Sequence, residues 1–437
     1  MKLIINKFPP IIQRCEIDLS KKLTLFVGHN NSGKTYISQL IWGIYNLDIH
    51  DGYDNIELLP KNTLGKMSIV IDKNISQLIS KSITKYFLKF ITLEVFKKQI
   101  DCDIEMVIDE YEFNSIDFNH QYSSGLNIVK KENTNVIDIE VLKDNKAHND
   151  YLTYSLIETV IEKLFKPSIF LPSSRLFFPS FYKYIFNTEK DFKDSMYQNL
   201  DKLDDNNKKF YAPSYTQPVD DLIKKLIFSL DKPLEANQYL DKLAEIIEGN
   251  ISVDRAEAIG MADISYNHKS GENIPMYLSS SMVNQLSTLY LYFKYWMQKE
   301  NNFLIIDEPE MNLHPAKKIE VMELLMHFAS ENKLLMATHS NTLAKSIINY
   351  LHLFDLRDKG VDTKAFIEEN ELKMDSEINL SSNDVGIYYF NGKTIIPYKY
   401  DDNSNIHFGT FSEVEELQQM QKEYILDELE HNDTKPQ

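Results

Sequence analysis

The sequence predicts an α/β fold with a mixed central sheet, into which an α+β and helical lobe is inserted. Three observations carry that expectation. An apolar run with Leu23, Leu25 and Val27 reads as a buried strand and passes straight into GHNNSGKT, Gly28 to Thr35, ahead of a helix-compatible segment from Thr35 to Tyr45. Two later runs, Phe303 to Ile306 and Leu334 to Ala337, are continuously apolar, the signature of strands covered on both faces, and each ends in polar residues. The length, 437 residues, exceeds what one compact core usually organises, so two lobes are expected.

The loop after the first run fits G-x-x-x-x-G-K-[ST], and its chemistry explains its residues. Gly28 and Gly33 let the backbone curl so that the N–H groups of the loop, with Asn30, Asn31 and Ser32 between them, face an anion; the helix that follows adds its positive end. Lys34 is placed to reach β/γ-phosphates, and Thr35 to offer its hydroxyl to Mg²⁺.

Composition narrows the class. Apolar content of 43% and charged content of 26% suit a globular chain. Cys15 and Cys102 cannot build a disulfide framework and have no metal-ligand spacing, which fits a reducing cytoplasm. Asn6 and Lys7 interrupt the N-terminal apolar run before a signal core forms, and the most apolar helical stretch, Gln285 to Met297, is short and carries Lys294, so no membrane span is expected. A net charge of −18 argues against a surface coated by nucleic acid.

In chain order, Met1 to Leu19 suggests two short strands broken at Pro9-Pro10. Asp48 to Asn62 is turn-rich, and Met67 to Asp72 reads as a strand. Lys73 to Lys98 has helical spacing, with Lys81, Lys85 and Lys89 on one face; six lysines against one glutamate make it either a solvated face or a nucleic-acid or partner contact. Asp101 to Leu142 reads as strands separated by turns such as Ser123 to Gly125, followed by a helix from Tyr151 to Phe165. The strand Ser168 to Leu171 ends in Pro172-Ser-Ser-Arg175. An arginine there is either at the ligand crevice of an open sheet or a loop residue paired with a surface carboxylate. Phe177 to Lys232 is aromatic and lysine-rich with a polar stretch from Asp201 to Lys209 that reads as an exposed loop; helices are expected at Asp220 to Ser229 and Gln238 to Glu248. Near the end, Val385 to Phe390 and Lys393 to Tyr398 flank Asn391-Gly392, a strong hairpin signal. The acidic helix predicted from Glu413 to Glu430 is either a solvated face or a docking surface for a basic partner.

Two carboxylates leaving a buried strand are costly unless they bind something. Asp307 is therefore the candidate to hold Mg²⁺ with Thr35, and Glu308 the candidate to orient and deprotonate an attacking water. His339, at the tip of the next apolar strand, is placed to contact a γ-phosphate, although Ser340 beside it is also a good N-cap for a helix from Asn341 to Leu351. Ser279 to Ser281 precede a helix-patterned run and read either as an anion site or as a plain serine cap.

Taken in order, the phosphate loop, the serine-rich helix start, the acidic strand and the strand-terminal histidine resemble the ABC ATPase superfamily. Gly28 to Thr35 is similar to its Walker A, Leu278 to Ser281 to its signature, Phe303 to Glu308 to its Walker B, Asn312 to Pro315 to its D-loop and His339 to its switch histidine. Within it the chain looks most like stand-alone bacterial ATPases related to SMC and OLD-family proteins, including antiphage defence ATPases of the Septu or PARIS kind; LPSSR at 171 to 175 and the Glu-Pro-Glu-x-Asn-Leu-His-Pro run fit that group. The resemblance implies an ATPase core at 1–45 and 168–400 with a helical insertion at 176–250, a variable insert at 46–167, and an acidic tail at 401–437. It implies ATP and Mg²⁺, hydrolysis involving Glu308 and His339, and nucleotide contacts from Ser279 and Ser280. It also implies a dimer or larger oligomer and a separately encoded effector, a nuclease or toxin, with nucleic acid reached through that partner. The alternative is a DNA-repair ATPase acting on DNA directly. Two departures stand out: serines replace the usual signature glycines, and no clear Q-loop glutamine appears, Arg175 being a candidate for a similar place.

Overall fold

The computed structural model describes residues 1–46, 65–122, 126–131, 133–141, 148–185, 187–188, 215–235, 237–254, 262–398 and 420–421. The expected turns at 48–62 and 123–125, the loop at 201–209 and, apart from 420–421, the acidic helix at 413–430 lie outside the described residues.

The central sheet has six strands. Leu23–Gly28 (β3), Lys333–Thr338 (β14), Phe303–Asp307 (β13) and Ser168–Leu171 (β9) run parallel in that spatial order, Val385–Phe390 (β15) pairs parallel with the other side of β3, and Ile395–Tyr398 (β16) closes that edge antiparallel. The sheet is thus mixed, and the Asn391-Gly392 hairpin joins β15 to β16. Alternation along the strands divides the core. Leu23, Leu25, Val27, Leu304, Ile306, Leu334 and Met336 point into one apolar cluster; Phe26, Phe303, Ile305, Leu335 and Ala337 point into another on the opposite face. Because both faces are covered, these strands are apolar throughout, and each fully buried leucine or phenylalanine contributes about 1.5–3 kcal/mol.

The phosphate-loop helix, Lys34–Tyr45, packs on the second face with Ile37, Leu40, Ile41 and Ile44. On the same side, Lys2–Lys7 (β1) pairs antiparallel with Cys15–Asp18 (β2), as expected, and on its other edge with Asp103–Val107 (β5) from the middle of the chain. A four-stranded sheet of Gly65–Val70 (β4), Val136–Val141 (β8), Leu126–Lys130 (β7) and Phe118–Tyr122 (β6) lies in that middle stretch. The helix Lys73–Phe90 starts on an Asp72 cap and continues into a π-helical turn, Ile91–Val95. On the first face pack the helices Gln217–Phe228, Gln238–Ile247 and Ser281–Leu291, with an antiparallel sheet of Gly249–Asp254 (β10), Asp263–His268 (β11) and Asn273–Pro275 (β12). The helix after His339 runs from Asn341 to Asp358, two turns beyond its expected end. No helix among the described residues is long and apolar enough to cross a membrane.

Candidate active site

The functional side chains gather where the parallel strands end. β14 lies between β3 and β13, so the loop after β3 and the acidic pair after β13 flank His339. Gly28 and Gly33 have φ of 150° and 102°, and Asn31 has φ of 60°. A Cβ on Gly28 would lie 2.3 Å from the Phe390 carbonyl oxygen, and one on Gly33 would lie 2.8 Å from Pro10, so both positions require glycine. Lys34 turns back over the loop, and its Nζ donates to the carbonyls of Gly28 (2.8 Å) and His29 (2.7 Å). Burial pulls its ammonium below the usual lysine range, against Asp307, Glu308 and Glu310.

The Thr35 hydroxyl donates to Asp307 Oδ2 at 2.6 Å. Asp307 is 2% exposed, and burial pushes its carboxyl up to about 6. Glu308 adopts φ of 48°, a left-handed conformation uncommon for a residue with a side chain; its N–H donates to Ala337 O at 2.8 Å. Its carboxylate meets His339 Nδ1 at 3.1 Å. That hydrogen bond holds Glu308 below, and His339 above, their ordinary values. Glu310, 3% exposed, accepts from the Thr338 hydroxyl, which in turn accepts from the Ser340 N–H at 2.9 Å, fixing the turn that carries His339.

A cleft of about 870 Å³ opens in front of this group. Asn30, Asn31, Ser32, Gly33, Lys34, Thr35 and Glu308 line it on one side. Its other walls were not legible in the sequence: Gln39, one turn beyond Thr35 on the same helix, exposed Tyr36 stacked on Phe96 (5.6 Å between centroids, 9° between planes), Pro9-Pro10, Thr216 and the segment Lys98 to Asp101. The i, i+4 spacing from Thr35 to Gln39 was the available signal for the first.

Asp307 and His339 are joined to this lining through their hydrogen bonds to Thr35 and Glu308, whereas two other sets of expected residues are not. Arg175, expected among the nucleotide contacts, is completely buried behind the acidic strand, and carbonyl oxygens take up its guanidinium. It is not a surface loop arginine either. Ser279 and Ser280 lie outside the cleft lining: the Ser279 hydroxyl donates to Met276 O (2.7 Å) and accepts from Asn284 Nδ2 (2.8 Å), while Ser280 caps its helix by accepting from the Val283 N–H (3.3 Å). Tyr277 and Leu278 beside them are 68% and 67% exposed.

The residues fit a magnesium nucleotide. The Ser32 hydroxyl is buried without a hydrogen-bond partner inside the loop, where a phosphate oxygen would satisfy it. Thr35 and Asp307 form an oxygen donor pair suited to a hard cation that keeps most of its ligands from substrate and water, and burial keeps Asp307 hard to ionise even with Arg175 and Lys34 nearby.

Residues 1–344 match a protein family described as AAA ATPase domain. Three solved structures are also similar: an Smc head bound to the C-winged helix domain of ScpA (11% identity, 92% of this chain and 97% of that one, TM-score 0.40), a Pyrococcus furiosus Smc head domain with an extended coiled coil bound to the C-terminal domain of ScpA (10%, 97% and 98%, TM-score 0.39), and the SMC head domain from Thermotoga maritima (11%, 91% and 98%, TM-score 0.31). The search of curated proteins gave no match.

Proposed function

We propose, from the premise that this chain belongs to the AAA ATPase domain family, that its ATPase activity works as a switch on a separately encoded effector, a nuclease or toxin, in bacterial antiphage defence. The observation that carries the site assignment is the Thr35–Asp307 hydrogen bond beside the Glu308–His339 pair, with Thr35 and Glu308 lining one cleft. In this reading the loop N–H groups and Lys34 hold the phosphates, and Lys34 exchanges its two loop carbonyls for phosphate oxygens. Thr35 and Asp307 hold Mg²⁺, which supplies neutralisation of charge on the phosphates. Glu308 orients a water and takes its proton, while His339 keeps the carboxylate directed and adds positive charge beside it.

Ser279 and Ser280 belong to a second copy's site. They stand at a helix start outside their own chain's cleft, flanked by exposed Tyr277 and Leu278, so an ABC-type head-to-tail dimer would bring them to the partner's phosphates. We assign the ATPase core to 1–45 and 168–400, with the insert at 46–167 and the segment 176–250 offering surface to the effector. ATP can bias such an assembly only through unequal affinity for its two arrangements. Co-expression with the neighbouring gene product, then size-exclusion chromatography with and without a non-hydrolysable ATP analogue, tests this reading. Co-elution that changes with nucleotide supports it; a chain that runs alone throughout, with a Glu308→Gln variant that leaves the neighbour's toxicity unchanged, overturns it. A second reading, an ATPase acting directly on DNA, is favoured by one observation: Lys81 and Lys85 are exposed on one face of the helix Lys73–Phe90.

A further inference from the structure

Glu308 holds a costly backbone conformation. A left-handed non-glycine residue is strained and persists only where its surroundings over-determine it. Here both sides of the residue are gripped: its N–H by Ala337 O at 2.8 Å, and its carbonyl by Arg175 Nη2 at 3.0 Å.

The arginine does more than close that one bond. Its Nη1 donates to Asp307 O (2.6 Å) and Pro172 O (3.0 Å), and its Nε to Gln285 O (3.2 Å). With the amide oxygen of Gln285 turned toward the guanidinium, that oxygen accepts from Nη2 at 2.8 Å and from Nη1 at 3.2 Å. A guanidinium has five N–H donors, so Gln285 O, Pro172 O, Asp307 O, Glu308 O and the Gln285 side chain account for all of them and leave none for a phosphate. Gln285 is itself fully buried, one turn into the helix that Ser280 caps. A lysine could not reproduce this, because an ammonium has three donors and no planar fork.

We propose that Arg175 is a positioning residue that ties Glu308 to the serine-capped helix, so that the acidic residue takes its working posture from the element expected to meet a second copy. This rests on the assignment of Glu308 as the base in ATP hydrolysis. Displacement of the helix moves Gln285, Gln285 moves the guanidinium, and the guanidinium moves the Asp307 and Glu308 carbonyls together.

Full-length Arg175→Lys, Gln285→Met and the double variant test the link through ATP affinity and turnover. Arg175→Lys should lower kcat about 100-fold, the scale of a 1 Å misplacement, with ATP affinity unchanged. Gln285→Met should lower kcat by a smaller factor, also without loss of affinity. The double variant should be no slower than Arg175→Lys alone, because both changes cut one connection. Parent-level turnover in Arg175→Lys, or multiplied losses in the double variant, overturns the proposal. Loss of ATP binding in a folded Arg175→Lys chain also overturns it, in favour of a direct nucleotide contact. If Arg175→Lys does not fold, Gln285→Met decides alone, and turnover equal to the parent is then the overturning result. Glu308→Gln separates this from its premise: unchanged hydrolysis there removes the base assignment, whereas loss there with parent-level turnover in the other variants removes only the Arg175 link.

Discussion

Two lysines with ammonium groups shielded from water stand at opposite ends of the central sheet, and they have different fates. Lys34, at the end where the parallel strands finish, rests on two carbonyls of its own loop and lines an open cleft. Lys333, where β14 begins, donates to Leu19 O and the Tyr45 hydroxyl and sits 4.6 Å from the Tyr45 ring centroid and 5.0 Å from that of Phe303. Burial depresses both ammonium groups, Lys333 to about 7. The difference lies in what could replace their partners. A phosphate can enter beside Lys34, whereas aromatic rings close off Lys333. Burial of a cation alone therefore does not mark a site; exchangeable partners facing a cleft do.

The sharpest way to break this contrast is to remove the exchangeable cation. Lys34→Ala should abolish ATP binding, and hydrolysis with it, as measured by titration with a fluorescent nucleotide. Glu308→Gln should keep binding and lose turnover by about 10²–10⁴-fold, because the base goes while the metal-holding pair stays. Equal turnover by Glu308→Gln and the parent would remove the role given to Glu308.

A smaller effect tests whether the cleft is completed from a second chain. Lys34→Ala and Ser279→Arg chains should each be inactive alone. In a mixed dimer one composite site carries both lesions and the other carries neither. Random pairing gives mixed dimers half the time with one working site of two, so about a quarter of parent activity should return. Demonstrated mixed dimers without recovery would count against a shared site.

How much of this could be read from residues alone follows the same division. The strands β3, β13 and β14 were legible because covering on both faces makes them continuously apolar, and the phosphate loop because its glycines answer a local steric demand. The hairpin at Asn391-Gly392 was local as well. Pairing of β5 with β1 was not legible, since it joins residues about a hundred positions apart. The sheet β10 to β12 went unread although Ile251, Ile264 and Tyr266 show an alternating buried face diluted by polar neighbours. The short helix Glu110–Ser115 lay inside a stretch read as strands, yet Asp109 and Glu112 form a capping box. At the site, the acidic pair and His339 were legible from strand ends. Arg175 was found but misdirected, because its meaning depends on carbonyls from three separate segments. Glu308's left-handed backbone leaves no signature in residue type.

The smallest expected effect concerns Lys333, and it separates stability from activity. Lys333→Met should leave ATP turnover unchanged, since Lys333 lies at the far end of the sheet from Thr35 and Glu308. Its signature is in the pH dependence of unfolding. The ordinary lysine value is 10.5, and burial lowers this one to about 7 in the folded chain. Between those two values the unfolded chain binds more protons at this residue than the folded chain does, so its contribution to stability rises with pH there and is flat below about 7. The lysine thus opposes folding most at and below neutral pH, and that opposition is relieved as the pH climbs. The apparent Tm of the parent should therefore rise relative to that of Lys333→Met between pH 7 and pH 9. Differential scanning fluorimetry at matched ionic strength reads the difference. Curves that stay parallel across that window would mean that Leu19, Tyr45 and the two rings keep the ammonium charged as readily as water does, and the sealed lysine would then differ from Lys34 in access alone.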